Sequence, residues 1–310
     1  MEEKRNRIAV ISITLDDGYK IDQWHQYYEE YKSEIALHVI VDNGSSQSYI
    51  AQLKSLFPDS LLIERKTNGG CTIAYNDGIR AALAQKEITH IALMANDIKL
   101  QKGALSRCVE VLDSNENLGM VEPVLLEKDS DIINDFGCTI TKHLFMNAFM
   151  KGKSYKVIQE KVHYATTVTG GMNIAKRSFY ESIVGLQDEK LFMYSDEVDM
   201  GLRAQKAGVK MAAVGDALAW HQHINPPGNS HRLPYSKYLI ARNKVYLGRK
   251  HFGVFRSFSQ FLYFQHKSFM GVVLYTMGKG KENIKDQAWQ FWGAVNGLFG
   301  NMKPNRFSHM

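Results

Sequence analysis

Over its first hundred residues the chain alternates short apolar runs with amphipathic stretches. Ile8 to Leu15 is continuous and rich in β-branched residues, and Asp16-Asp17-Gly18 ends it. A run of that kind reads as a buried strand stopped by a turn. Ile21 to Lys32 then carries apolar residues at helical spacing. The cycle repeats with strands at Leu37 to Val41, Leu61 to Glu64 and His90 to Ala95, and helices at Ser48 to Leu56 and Thr72 to Leu83. Such alternation predicts parallel strands joined by crossover helices, an α/β fold. In sheets of that type ligands bind beyond the carboxyl ends of the strands. Thr14, Asp42 and Asp97 all fall at or just past those ends.

The second half has a different texture. Leu118 to Leu125 reads as a strand, and the polar segment from Asp129 to Val162 as a hairpin or loop excursion. Thr166 to Ala175 is strand-like around Gly170-Gly171, and Ser178 to Val184 is a short helix. Asp196 to Ala207 is helical and stops at Gly208, a normal C-terminal stop. Val209 to Trp220 is a strand pair or one bent strand. After Pro226-Pro227-Gly228 comes a basic, aromatic, mostly helical tail from Leu233 to Met302. We therefore expect a catalytic-type α/β domain over residues 1–232 and a helical extension over 233–310.

Composition narrows the class. Hydrophobic residues make up 45% of the 310 and charged residues 23%, enough to build a core and too apolar for disorder. The net charge of +6 suits anionic partners such as phosphates or an anionic membrane surface. No nucleic-acid motif accompanies it, so nucleic acid is not expected as a partner. Cys71, Cys108 and Cys138 are scattered and odd in number, which disfavours a disulfide framework or a zinc knuckle. The N-terminus lacks an apolar signal segment, and no run reaches the ~18 apolar residues of a membrane span. A cytoplasmic protein is expected, with peripheral membrane contact left open.

Four segments can carry chemistry. Asn68-Gly69-Gly70 through Gly78 places glycines at the opening of a helix, where phosphate is attracted, though a plain turn has the same look. Asn96-Asp97 follows an apolar strand, and a carboxylate there can hold Mg2+ or Mn2+ or simply cap a turn. Asp196, Glu197 and Asp199 open a helix, as caps or, once desolvated by the aromatic lead-in Leu191-Phe192-Met193-Tyr194, as a general base. His221 and His223 share one side of a continuing strand, as metal ligands or as ordinary residues. The tail, with Arg256, Lys267, Phe255, Phe258, Phe261 and Phe264 among its residues, could lie on a membrane or pack on the main domain; packing is the reading we favour, with interface contact for some of these residues.

Taken together these segments resemble the family 2 glycosyltransferases, especially the rhamnosyltransferase-like branch, over roughly residues 7 to 250. Asp42-Asn43-Gly44-Ser45-Ser46 looks like the family's nucleotide-reading turn, and Asn68, Gly70, Ala74, Asn76 and Gly78 match its donor-pocket segment. Ala95-Asn96-Asp97 sits where the family carries a DxD-like metal motif, with Ala95 replacing the first acid. Thr169-Gly170-Gly171-Met172 is similar to the segment before the catalytic acids, and Asp196-Glu197-Val198-Asp199 to the ED-x-D signature with its first two acids exchanged. His221 and Tyr238 through Arg242-Asn243 match further family positions.

The resemblance implies a GT-A fold: a mixed, mainly parallel sheet flanked by helices, with the tail as a helical extension. It also implies an inverting transferase that moves a sugar from a nucleoside diphosphate to a glycan acceptor. Glu197 is then the base, with Asp196 as alternative; Thr14, Asp42, Asn68, Gly70, Asn76, Asn96 and Arg203 hold the donor nucleotide. Gly170, Gly171, Asp199 and Arg242 face the sugars, and Asp97 with His221 binds Mn2+ or Mg2+. The branch leans towards dTDP-rhamnose, with UDP-sugars next, and towards a lipid-linked polysaccharide acceptor. The tail could equally form a homo-oligomer contact. Ala95 and the exchanged acids keep a non-catalytic sugar-nucleotide or glycan binder as the alternative. A sugar-nucleotide-making nucleotidyltransferase is disfavoured, because Thr14 to Tyr19 lacks a Gly-rich, basic loop.

Overall fold

A computed structural model describes residues 7–224, 235–279 and 282–303. The charged N-terminal stretch before Arg7 and the Pro226-Pro227-Gly228 break lie outside the described residues. The chain opens with β1 (Ile8–Thr14), α1 (Ile21–Tyr31), β2 (Leu37–Asp42), α2 (Gln47–Leu56), β3 (Leu61–Glu64), α3 (Cys71–Leu83) and β4 (His90–Met94). Next come β5 (Ile98–Leu100), α4 (Ala104–Asp113), β6 (Leu118–Glu127), β7 (Ile133–Asp135), β8 (Cys138–Ile140), β9 (Met146–Ala148) and β10 (Val162–Ala165). Then follow β11 (Met172–Lys176), α5 (Arg177–Glu181), α6 (Asp196–Lys206) and β12 (Lys210–His221). The tail folds as α7 (Ser236–Phe252), α8 (Val254–Thr276) and α9 (Ile284–Leu298).

The main path through the sheet runs β10-β12-β6-β11-β4-β1-β2-β3, with β5 added to β12 and β7 to β6. Its β4-β1-β2-β3 half is parallel throughout. β11 runs antiparallel between β4 and β6, so β6 and its parallel neighbour β12 point the same way as β4. The result is a mixed, mostly parallel sheet. Because successive residues of a strand face opposite sides, Ile8, Val10 and Ile40 enter one core with Trp24 of α1, Leu53 of α2 and Leu105 of α4. Ala9, Ile11, Val39 and Val41 enter the other with Ile79 of α3, Phe179 of α5 and Met200 of α6. Helices on both faces explain why the strands read as unbroken apolar runs.

The structure corrects the sequence reading in two places and decides between its two alternatives in a third. α4 was not expected, although Ala104, Leu105, Cys108, Val111 and Leu112 form its buried stripe. Of the expected strand Thr166 to Ala175 only β11 is regular, because residues 166–171 form an irregular segment that crosses the carboxyl end of the sheet. The segment 209–220 is one bent strand, with a register break between Val214 and Leu218.

The tail is tied to the body through α7. Asn243 Nδ2 donates to the carbonyls of Leu191 (3.0 Å), Met193 (2.9 Å) and Tyr194 (2.8 Å). Arg242, wholly buried, donates to Leu191 O at 2.8 Å and Lys190 O at 3.3 Å. Lys244 donates to Leu144 O. These carbonyls belong to a stretch with little regular structure, so α7 supplies the partners that a helix or strand would otherwise provide. Asn243→Ala removes this donor from the carbonyls of Met193 and Tyr194, while Leu191 O keeps Arg242 and the Met193 N–H. Its expected cost is about 1–3 kcal/mol in denaturant unfolding; a change below about 0.5 kcal/mol would show that the clamp is dispensable.

Candidate active site

The carboxyl ends of β1, β2 and β4 form the first wall. Asp42 is fully buried, and its Oδ2 accepts the N–H groups of Gly44 (3.2 Å) and Ser45 (3.0 Å). Its Oδ1 is buried with no partner among the described residues. An unpaired carboxylate oxygen is costly to bury, so this atom is poised for an external N–H donor. Asn43 Nδ2 donates to Asn68 Oδ1 at 2.9 Å and Gly70 O at 3.3 Å, which fastens the glycine loop against this turn. Gly70 has φ +85°, and a Cβ there would collide with Phe192 O. Only glycine allows that approach.

Asp17 joins the strand ends. It accepts from Thr14 Oγ1 (3.2 Å), Asn96 Nδ2 (2.8 Å) and Tyr19 OH (3.1 Å), and Lys20 lies 3.5 Å away. Thr14 Oγ1 also lies 2.5 Å from Tyr49 OH. The sequence reading used Asp17 only as a strand stop. Its position at the end of the first strand was the signal that it belongs to the site.

The second wall is Asp97 with His221. Asp97 Oδ1 lies 3.2 Å from His221 Nε2, and Oδ2 accepts the Ile224 N–H at 3.3 Å. Burial works to raise the Asp97 pKa, but the His221 hydrogen bond and charge, Lys20 and the Ile224 N–H outweigh it and hold the carboxyl below its usual value. The His221 and His223 rings stack with centroids 3.8 Å apart. His221 is the last residue of β12, so the rings meet beyond the strand and not as alternate residues along it.

The third wall is the acid pair at the start of α6. Phe192, Tyr194 and Ser195 all have positive φ (65°, 69° and 67°), a concentration of backbone strain just before Asp196. Strain of this kind is maintained where the surroundings dictate it, and here Arg242 and Asn243 hold the carbonyls. Burial raises the Glu197 carboxyl above its ordinary range. Burial together with the Glu197 charge raises Asp196 further. Lys244 is the cation whose field reaches Glu197, and burial lowers its own pKa to about 8.

Gly170 and Gly171 connect these walls. A Cβ on Gly170 would strike Glu197 Oε1, and one on Gly171 would lie 3.4 Å from His221 Nδ1. Gly171 O also accepts the Ala95 N–H at 2.9 Å, next to Asn96-Asp97. Adjacent Cα atoms are about 3.8 Å apart, so the acid pair and the Asp97–His221 pair meet across two residues. Glu122 secures this segment from below. It is fully buried, and its carboxylate accepts Thr169 N–H at 2.6 Å and Gly137 N–H at 2.5 Å. The sequence reading missed Glu122, since a single acid inside an apolar strand gives no spacing signal.

Four expected site residues serve other ends. Arg242 is enclosed and spends its donors on carbonyls, so it cannot reach a sugar. Asp199 is also enclosed: burial alone would raise its pKa, but His251, Arg203 and Lys250 hold it at about 2. Arg203 is the partner of Asp199, with Nε 2.9 Å from Oδ2, and does not face the nucleotide turn. Asn76 is used up between the Gln187 backbone and Glu189. Asn68 stays beside the Asp42 turn, but its Oδ1 is taken by Asn43 and the Gly70 N–H.

A mixed, mostly parallel sheet flanked by helices, with acidic side chains gathered at the carboxyl ends of its strands, has the architecture of the GT-A fold. The profile of glycosyl transferase family 2 matches residues 25–181, and the chain belongs to that family. It is similar to the dTDP-rhamnosyl transferase RfbF of Shigella flexneri, 26% identical over 71% of this chain and 73% of that one. It is also similar to the low-salt glycan biosynthesis hexosyltransferase Agl10 of Haloferax volcanii, 25% identical over 77% of this chain and 78% of that one. Among solved structures, S. aureus TarS 1-349 in complex with UDP-GlcNAc aligns with a TM-score of 0.55 at 13% identity, over 96% of this chain and 82% of that one. GalNAc-T7 with UDP, GalNAc and Mn2+ aligns with a TM-score of 0.59 at 12% identity, over 78% of this chain; this chain spans about half of it, 48%. These two likenesses establish the fold.

Gly170→Ala tests the juncture. The added methyl group must push Glu197 aside, and displacements near 1 Å can cost about a hundredfold in rate. The expected outcome is a kcat reduced about ten- to a hundredfold with nucleotide affinity preserved. Unchanged kcat would show that Glu197 does not depend on this contact.

Proposed function

We propose that the protein is an inverting, metal-assisted sugar transferase. It moves a sugar, rhamnose by preference, from a nucleoside diphosphate to a hydroxyl of a lipid-linked glycan at the cytoplasmic face of a membrane during surface polysaccharide synthesis. The observation that carries the reading is the juncture at Gly170-Gly171, where a carboxyl with a raised pKa adjoins the Asp97–His221 pair. The rhamnosyl and hexosyl transferase relatives support the choice of sugar class.

Asp42 Oδ1 takes an N–H of the nucleobase, with Thr14 and Asn96 fixed beside it through Asp17. The diphosphate then lies between the glycine loop at Gly70 and Asp97. Glu197 removes the proton of the acceptor hydroxyl as its oxygen attacks the anomeric carbon, and the nucleoside diphosphate departs from the opposite face. A raised pKa makes Glu197 a stronger base than an exposed carboxylate. Asp196 lies deeper than Glu197, so the role falls to its more accessible neighbour.

Asp97 and His221 fit a divalent ion. A carboxylate and an imidazole are suitable donors, and such ions complete their shells with phosphate and water. Asp17, Asp97, Asp196 and Glu197 would otherwise repel the diphosphate. When bound, Mn2+ or Mg2+ supplies positive charge to the leaving diphosphate.

Glu197→Gln should lower kcat about 10²–10⁴-fold with nucleotide affinity nearly unchanged. Loss of nucleotide binding would mean a structural role, and near-normal turnover would move the base to Asp196. Separately, calorimetric titration with a nucleoside diphosphate should show Mn2+-dependent binding in the wild type. Asp97→Asn should weaken that binding by about ten- to a hundredfold or more; identical titrations with and without Mn2+ would remove the metal from the reading.

A further inference from the structure

Two helices of the tail, α8 and α9, are turned inside out. α8 buries Ser257, Gln260 and Ser268 beside Phe264, while Phe255 is 94% exposed and Phe269 66%, with Phe258 and Leu262 half-exposed between them. The spacing of these four apolar residues, 255, 258, 262 and 269, places them on one helix face. Inward polar groups hydrogen-bond to the body: Ser257 Oγ donates to Val245 O at 3.0 Å and Gln260 Nε2 to Lys142 O at 3.0 Å, while Gln260 Oε1 has no partner among the described residues. Gln290 of α9 donates to Ser268 Oγ at 3.0 Å in the same buried layer. α9 repeats the inversion, burying Gln287 and Gln290 and exposing Phe291 and Trp292. Water is a poor solvent for such an outer face.

The sequence expectation that these aromatics pack on the main domain therefore holds for Phe264 and not for Phe255 or Phe258. No described helix is long and apolar enough to cross a membrane. A helix with an apolar outer face and basic surroundings lies in the plane of a bilayer surface. Charge selects the lipid. Residues 235–279 contain eight Lys or Arg and no Asp or Glu. Of these, Arg249, Lys267 and Lys279 are exposed and form no ion pair among the described residues. A second copy is disfavoured by the same charges, because a two-fold contact sets each patch against itself.

We propose that the outer face of α8, with Phe255, Phe258, Leu262 and Phe269 as its anchors, docks the protein on an anionic lipid bilayer. The inference uses nothing from the donor chemistry, so it can stand or fall separately from the proposed reaction. The test is co-sedimentation of the full chain with phosphatidylcholine vesicles, with or without phosphatidylglycerol, at low and high salt. A variant carrying Phe255→Ser, Phe258→Ser, Leu262→Ser and Phe269→Ser is compared; all four positions are outward, so its thermal unfolding should match the wild type. The wild type should pellet with phosphatidylglycerol vesicles, less so at high salt, and the variant should bind about tenfold or more weakly, with donor hydrolysis unchanged. Equal binding by the variant, or no binding by the wild type at low salt, overturns the proposal. So does a wild-type dimer that the variant converts to monomer without any vesicle binding, since the face would then be a contact between copies.

Discussion

The site depends on a stretch of backbone without side chains. Gly170 and Gly171 cross the carboxyl end of the sheet; the bareness of Gly170 lets Glu197 approach, and His221 lies against Gly171. Glu197 could not come as close to a residue bearing a Cβ at position 170. The carbonyl of Gly171 binds the Ala95 N–H, so the strand end that carries Asp97 is fixed to the same segment. The segments that carry Glu197, His221 and Asp97 thus meet at a common stretch of backbone.

That arrangement needs support, because much of it lies in irregular structure. Glu122 holds the glycine segment from within the sheet, and Asn243 and Arg242 hold the strained residues ahead of Asp196. Buried polar networks of this type are costly when incomplete and rigid when satisfied. The tail therefore contributes to the geometry of the acid pair, while its outer face has the character of an interface with lipid. One element can do both, because Arg242 and Asn243 point inward from α7 and the exposed aromatics belong to α8.

Much of the fold was legible in the sequence. Each parallel strand is buried on both faces, so its pattern is an uninterrupted β-branched run, and each helix between them shows a clear stripe. α4 carries the same signal and was passed over, since no turn motif drew attention to it. The segment 166–171 misled because Val168 and its neighbours are buried without forming a strand. Asp42, Asp97 and Glu197 stood out because strand ends and helix starts are where chemistry is expected, and their roles belong to the proposed function. Arg242, Asp199, Arg203 and Asn76 were misassigned for a shared reason. Sequence order places a polar residue near a site, but only packing shows whether its hydrogen bonds are already spent.

The central claim is that one cleft, bounded by Asp42, Asp97 and Glu197, receives the nucleoside diphosphate. Its most direct test is a crystal structure of the protein with dTDP or UDP and Mn2+, with the ion located by anomalous scattering. The base should donate an N–H to Asp42 Oδ1, and the ion should bridge Asp97 and the diphosphate with Glu197 facing the vacant sugar position. A nucleotide bound elsewhere, or one that leaves Asp42 Oδ1 unpaired and Asp97 still turned to His221 alone, would contradict the account.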